Sequence, residues 1–306
     1  MRYVEVEGLR LSVIGLGTWQ FGSRGWGYGD AYATDVAPAL VRRAVELGIA
    51  FVDTAEAYGP GRSERIVGEA ITGLDPRPIV GTKLMPIAPA EPIVAWQARG
   101  SARRLGVASI DLYQVHRPNP FVSTRRVMQS LRPLVDAGLV SHVGVSNYSL
   151  DAWQEAERAL RRPVISNQVR FSLADPEPLH DLVPYAAPAG RCVIAYSPLG
   201  QGLLGGAHAT GGRMTGTRRM NPLFRGDGLR RAAPLLATVA EVAAAHGATP
   251  AQVALAWLVS HPGVVAIPGA RTIGQLEENA AAAELDLAAE EVASLTDAAE
   301  AFAAPR

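Results

Sequence analysis

The chain has 306 residues, 48% hydrophobic and 19% charged, with zero formal net charge and a pI of about 7.0. That is enough apolar material for a large core, and the even charge balance excludes a basic nucleic-acid binder or a protein drawn to anionic membranes. The single cysteine, Cys192, excludes an internal disulfide or a zinc–cysteine cluster; it reads as a small buried core residue of a protein kept in a reducing compartment. The N-terminal MRYVEVE has no apolar signal core and no run is long enough to span a bilayer, so a cytoplasmic location without membrane or nucleic-acid partners is expected.

In chain order, Tyr3 to Leu11 alternates apolar residues around Glu7-Gly8 and predicts a β-hairpin. Short β-branched runs then recur: VIGLG from Val13, IAFVD from Ile49, IVGTK from Ile79, IDLYQVH from Ile110, SHVGVS from Ser141, VISNQ from Val164, CVIAY from Cys192 and VVAIP from Val264. Most are apolar throughout, as expected of parallel strands buried on both faces. Helix-periodic segments separate them. One starts within TDVAP (Thr34 to Pro38) and closes at Gly48; Thr249-Pro250 reads as an N-cap followed by proline, with His261-Pro262 as the stop; Thr272 and Gln275 have capping-box spacing. Strand and helix alternate roughly every 30 residues, which predicts an α/β fold, a (β/α)₈ TIM barrel occupying 1–306 as one domain. The hairpin would plug the N-terminal end of the barrel. The Gly-, Arg- and Thr-rich stretch from Leu199 to Asp227, after the seventh strand, would be a long loop covering a ligand.

The C-terminal ends of these strands carry Asp53, Lys83, His116, Ser146 with Asn147, Asn167 with Gln168, and Tyr196 with Ser197. A barrel gathers such residues around one mouth, where its chemistry is built. Lys83 is the only lysine among 29 basic residues. Arginine is a rigid, permanently charged fork, whereas lysine is a compact ammonium on a flexible stem, so a solitary lysine at this position points to a site that needs an ammonium head.

With these residues the sequence resembles the aldo-keto reductases over nearly its whole length. DTAEAYGPGRSE from Asp53, VGTK ending at Lys83, YQVH ending at His116, GVSN ending at Asn147, SNQ ending at Gln168, YSPLGQGLL from Tyr196 and IPGARTIGQLEEN from Ile267 carry the resemblance. It implies a carbonyl reductase with Tyr58 as proton donor, Lys83 lowering the phenol's pKa, Asp53 positioning Lys83 and His116 orienting the substrate carbonyl. Carbonyl reduction needs a hydride donor and a general acid. No G-x-G-x-x-G follows a strand, which disfavours a Rossmann site; the resemblance implies instead an extended nicotinamide cofactor across the barrel mouth. Tyr196 would stack on the nicotinamide, and Ser146, Asn147 and Gln168 would bond its carboxamide. Asp53, Gly17, Thr18 and Trp19 would line that end. Ser197, Leu199, Gly200, Gln201, Gly202 and Leu203 would run along the pyrophosphate, with backbone N–H groups of the last four as donors. Gly269, Arg271 and Gln275 would sit at the 2′-phosphate, and Glu278 and Asn279 at the adenine. Many members of the family have a lysine after the Ile-Pro pair and a basic residue at the position of Gln275, whereas this chain has Gly269 and Gln275. Phosphate recognition is left to Arg271, and NADPH is expected over NADH.

The expected substrate pocket comprises Trp19, Trp26, Tyr28, Met85, Arg117 and Tyr148, walls suited to an apolar or aromatic carbonyl. Arg117, where many relatives have an aromatic residue, either biases the pocket toward polar or anionic carbonyls or points outward. The substrate is expected to be a small-molecule carbonyl. Alternatives are a sugar or alcohol dehydrogenase running the same site in reverse, and a cofactor-binding regulatory subunit. A metal-dependent hydrolase is disfavoured because the six histidines are dispersed, and no metal is expected.

Overall fold

The computed structural model describes residues 1–22, 32–88, 90–205, 224 and 227–304. Strands β1 (Tyr3–Val6) and β2 (Leu9–Ser12) pair antiparallel. They are joined by Glu7 and Gly8, both at positive φ (47° and 84°), the backbone twist that suits a two-residue hairpin. Val6 and Leu11 pack on Phe51, Leu112, Ile165, Cys192, Ile194, Val265 and Ile267. The hairpin therefore closes one end of a strand-lined core, and Cys192 lies in that core.

Eight strands follow: β3 (Leu16–Gly17), β4 (Phe51–Asp53), β5 (Ile79–Leu84), β6 (Ile110–Val115), β7 (Val140–Ser146), β8 (Val164–Arg170), β9 (Cys192–Tyr196) and β10 (Val264–Ala266). Each pairs in parallel with its neighbour in the chain. Ile14 bridges Ala266, and the Gly15 N–H donates to the Ala266 carbonyl at 2.8 Å, so the first and last strands meet. This is the expected (β/α)₈ barrel. Gly17 lies on that seam, where a Cβ would stand 2.6 Å from the Ile267 carbonyl oxygen.

Strand alternation sorts the side chains. Val52, Val80, Leu84, Val115 and Val145 face the helices. Phe51 and Leu112 face the barrel axis low down, and Asp53, Lys83, Gln114 and Gln168 face it near the top, all buried. The runs look uniformly apolar because both faces are covered; the exceptions are the inward residues of the upper layer.

The helix expected after Thr34 runs Ala37–Glu46, preceded by a π-turn over Tyr32–Val36 and followed by Gly48 at φ 78°. Thr249 caps the helix Pro250–Val259 in a full capping box with Gln252. At Thr272 the box is half made: Thr272 Oγ1 accepts from Gln275 N–H, but the Gln275 side chain accepts from Arg271 N–H instead of returning to Thr272. The stretch after β9 opens with a 3₁₀ turn, Gly200–Gly202, and Leu203 and Leu204 are buried. The expected ligand-covering part falls on 206–223, outside the described residues. Among the described residues no single helix is long and apolar enough to cross a membrane.

Thr249 Oγ1 both caps its helix and donates to Glu278 Oε1 at 2.6 Å. Thr249→Ala is expected to cost about 1 kcal/mol, seen as a lower urea midpoint at unchanged slope.

Candidate active site

The site is built up from the end of β5. Lys83 is in register with Gln114 of β6, and its side chain is 1% exposed. Its Nζ donates to Asp53 Oδ2 at 2.5 Å, to the Thr54 carbonyl at 2.9 Å and to Tyr58 Oη at 3.3 Å. An ammonium has three hydrogens, and each has an acceptor.

Tyr58 reaches this point from the loop after β4. That loop is pinned twice. Glu56 Oε1 accepts from the Met85 N–H at 2.7 Å and from Gln97 Nε2 at 2.8 Å, tying it to the end of β5. On its other side Gly22 is pressed against the Tyr58–Gly59 peptide, where a Cβ would lie 2.4 Å from the Tyr58 carbonyl carbon. The Tyr58 and His116 rings meet edge to face, 5.9 Å between centroids.

Burial and charge act together on these groups. Burial lowers the pKa of Lys83, but the Asp53 carboxylate and Tyr58 outweigh it and leave the ammonium more firmly protonated than usual. Burial raises the Tyr58 phenol; Lys83 opposes this and Asp53 adds to it, so the net direction is upward. The expectation that Lys83 brings the phenol below its ordinary value is corrected here: the Asp53 charge offsets that of Lys83, and desolvation decides. His116 is held down to about 3, first by burial and then by the nearby charges of Lys83 and Arg117. It is therefore a neutral imidazole, with Nδ1 buried and without a partner among the described residues.

Above this floor lies a groove of about 570 Å³. Gly17, Thr18, Trp19, Asp53, Tyr58, His116, Ser146, Asn147, Gln168 and Tyr196 line it. Ser197, Leu199, Gln201, Gly202, Gly269, Arg271, Gln275, Glu278 and Asn279 line it too. Asn147 and Ser197 take left-handed conformations (φ 60° and 53°) that turn the chain over the mouth. Asn147 Nδ2 donates to Ser146 Oγ at 3.0 Å, and Tyr196 Oη donates to Asn147 Oδ1 at 3.0 Å. Asp53 Oδ1 accepts from Gln168 Nε2 at 2.7 Å and from Gln114 Nε2 at 3.2 Å.

Lys83 lies beneath the groove, in the expected contact with Asp53 and Tyr58. Several expectations are not met. The N–H groups of Gly200, Gly202 and Leu203 donate to Ser197, Leu199 and Gly200 within the turn, and Leu203 is buried, so these three do not offer free donors to a ligand. Met85, Arg117 and Tyr148 do not line the groove. Met85 has its backbone N–H and carbonyl engaged by Glu56 and Gln97, and Arg117 is exposed. Tyr148 is buried in the outer core because Asn147 reverses the chain and the Asn167 amide binds the Tyr148 backbone. Trp26 and Tyr28 lie outside the described residues.

Three residues were missed. Gln20 Nε2 donates to the Gly17 and Ala270 carbonyls, both at 3.1 Å. A Cβ at Gly269 would stand 2.8 Å from Gln20 Oε1, so the end of the Gln20 side chain occupies the space beside this glycine. Arg170, two residues beyond Gln168 on the same strand face, also lines the groove. Gln114 lies two residues before His116, and that spacing on a strand was the available signal.

A model described as the Aldo/keto reductase family matches residues 13–300. The chain belongs to this family. It is 54% identical over 303 residues to the uncharacterized oxidoreductase Rv2298 of Mycobacterium tuberculosis (strain ATCC 25618 / H37Rv), covering 99% of this chain and 94% of that protein. It is 33% identical over 298 residues to the methylglyoxal reductase YeaE of Escherichia coli (strain K12), covering 94% and 91%. A crystal structure of an aldo/keto reductase from Klebsiella pneumoniae in complex with NADP and acetate superposes with a TM-score of 0.79 at 29% identity, covering 99% of this chain and 96% of that one. This aldo-keto reductase is accordingly an NAD(P)H-dependent oxidoreductase.

The depressed His116 pKa has a definite sign in stability. Between about 3 and 6.5 the unfolded chain binds a proton at this imidazole that the folded enzyme does not, so the fold loses stability as pH falls through that window. In the folded aldo-keto reductase, the His116 ring resonances are expected to keep their neutral-form shifts from about pH 8 to pH 5. His116→Asn should flatten the acid limb of the stability curve. A His116 midpoint near the ordinary histidine value would contradict this.

Proposed function

We propose that this aldo-keto reductase reduces small aldehydes or ketones to alcohols with NADPH, with Tyr58 as the proton donor. The observation that carries the reading is the contact of one buried ammonium, Lys83 Nζ, with both Asp53 and the Tyr58 hydroxyl directly beneath the groove. The residues above it fit a nicotinamide cofactor. Ser146, Asn147 and Gln168 offer the hydroxyl and amide groups that a carboxamide needs, the Tyr196 ring offers a stacking face, and Arg271 offers a cation for a phosphate. Bound there, such a cofactor supplies the hydride.

The protein's own part is to hold the carbonyl and move one proton. His116, being neutral, donates a hydrogen bond to the carbonyl oxygen without competing as an acid. Tyr58 gives its proton to that oxygen as negative charge develops, and the phenolate left behind faces Lys83 Nζ at 3.3 Å. A phenol whose pKa is held up is protonated at neutral pH, which is the state reduction requires. Oxidation of an alcohol would use the same site in reverse, with the phenolate as the base. The name of the Escherichia coli relative, a methylglyoxal reductase, and the NADP in the Klebsiella structure support the substrate class and the cofactor. A purely regulatory role has no support in a site that keeps Asp53, Tyr58, Lys83 and His116 in contact.

The test is single-turnover oxidation of bound NADPH by an activated aldehyde. Tyr58→Phe is expected to lose on the order of 10²–10⁴-fold in rate while NADPH affinity, read by fluorescence, is retained. Arg271→Ala should weaken NADPH far more than NADH. Full activity in Tyr58→Phe would remove the proton donor; tight NADPH binding with no oxidation across a broad carbonyl panel would remove the reductase reading.

A further inference from the structure

Gln114 is buried at 0% exposure inside the barrel, one strand from Lys83 and in register with it. The fold makes room for its side chain on the β7 side, where a Cβ at Gly144 would stand 2.9 Å from Gln114 Cγ and 2.3 Å from Ser166 Oγ. A long polar side chain in a layer otherwise occupied by charged or ligand-facing groups has a specific task. Its bonds identify that task. Gln114 Nε2 donates to Asp53 Oδ1 at 3.2 Å, and Gln114 Oε1 accepts from Gln168 Nε2 at 3.4 Å. Gln168 Nε2 also donates to Asp53 Oδ1 at 2.7 Å.

An amide nitrogen carries two hydrogens. For Gln168 one goes to Asp53 and the other to Gln114, so Gln168 turns only its carbonyl oxygen to the groove. We propose that Gln114 is a positioning residue: by occupying the second hydrogen of Gln168 Nε2 and holding the same oxygen of Asp53, it makes Gln168 a pure acceptor toward the cofactor's carboxamide. The carboxamide then meets Gln168 through its NH₂ and through nothing else. The same residue couples the ring's orientation to the carboxylate that holds Lys83. This rests on the nicotinamide reading of the groove.

The experiment compares equilibrium binding of NADPH with that of its reduced 3-acetylpyridine analogue, in which a methyl group replaces the amide NH₂. Wild type is expected to prefer NADPH by on the order of tenfold, since the analogue leaves the Gln168 oxygen without a donor. Gln114→Met, close in volume and apolar, frees the second Gln168 hydrogen to meet the acetyl oxygen, so the preference should collapse toward unity. Gln114→Leu provides the same test if the methionine variant is poorly folded by circular dichroism. Gln114→Glu, protonated so that its O–H replaces the donor to Asp53 Oδ1, keeps an acceptor for Gln168 and should keep the wild-type ratio, even where the rate constant falls. A merely structural role would weaken both cofactors equally in the apolar variants, and an unchanged ratio there overturns the proposal while leaving the nicotinamide reading intact. Failure of wild type to bind either cofactor overturns both.

Discussion

The structure depends on the charge of Lys83 being buried with all three of its hydrogens engaged. An ion taken out of water loses a hydration energy that packing does not return; here it is met by one carboxylate oxygen, one backbone carbonyl and one phenol. Each acceptor sits on a different piece of backbone: Asp53 ends β4, Thr54 follows it, and Tyr58 lies in the loop beyond. The ammonium thus ties a strand end and a loop to β5 at one point. A guanidinium carries five donors in a planar fork, and this pocket presents three acceptors around a point. That answers why a chain with 28 arginines keeps one lysine.

The pairing also contributes to the electrostatics above it. Burial is the largest influence on both remaining groups: the Asp53 and Lys83 charges oppose each other at the phenol, which stays protonated, and Lys83 and Arg117 add to burial at the imidazole, which stays unprotonated. A proton donor that holds its proton and a neutral hydrogen-bond donor beside it follow from burial next to one ion pair. Asp53 is central because its two oxygens face different partners. Oδ2 holds Lys83, and Oδ1 holds Gln114 and Gln168, so the acid side and the ligand side of the site share one carboxylate.

Much of this was legible in the sequence, for a physical reason. Buried parallel strands are apolar runs, and where they reach the barrel mouth the polar residues begin; all eight strands and the residues at their ends could be read that way. The hairpin was legible from its alternation, and the Thr249 cap from its chemistry. What was hidden lay one level deeper. Gln114 sits inside an apolar run, and only the period of 2, counted back from His116, places it on the inner face. Met85, Arg117 and Tyr148 follow strand ends, where the next side chain's direction depends on local backbone turns; the left-handed Asn147 sends Tyr148 into the outer core. The Gly200–Leu203 amides looked like free donors because glycines permit close approach, but the 3₁₀ turn satisfies three of them internally. The phenol's direction differs from the expectation first because burial raises it, and then because the Asp53 charge offsets that of Lys83.

Two parts of the groove's lining are built on different principles. The part near Tyr58 is a closed polar network in which Asp53, Gln114, Gln168, Lys83, Ser146 and Asn147 are mutually bonded, so each orientation is fixed by its neighbours. The part around Arg271 has its backbone fixed and its charge reduced. Gln20 ties Gly17 to Ala270, Gln275 holds the Arg271 N–H, and Gly269 leaves the space that Gln20 occupies. A side chain at 269 would displace the end of Gln20 from this tie, so the fold has a neutral strap where many members of the family carry a cation. The strap fixes the Arg271 backbone, and Arg271 and Arg170 are the positive side chains among the groove's described lining residues. With the cofactor held as proposed, discrimination for a phosphorylated nucleotide rests on how well the planar fork of Arg271 meets one phosphate, a bidentate contact in which geometry counts as much as charge.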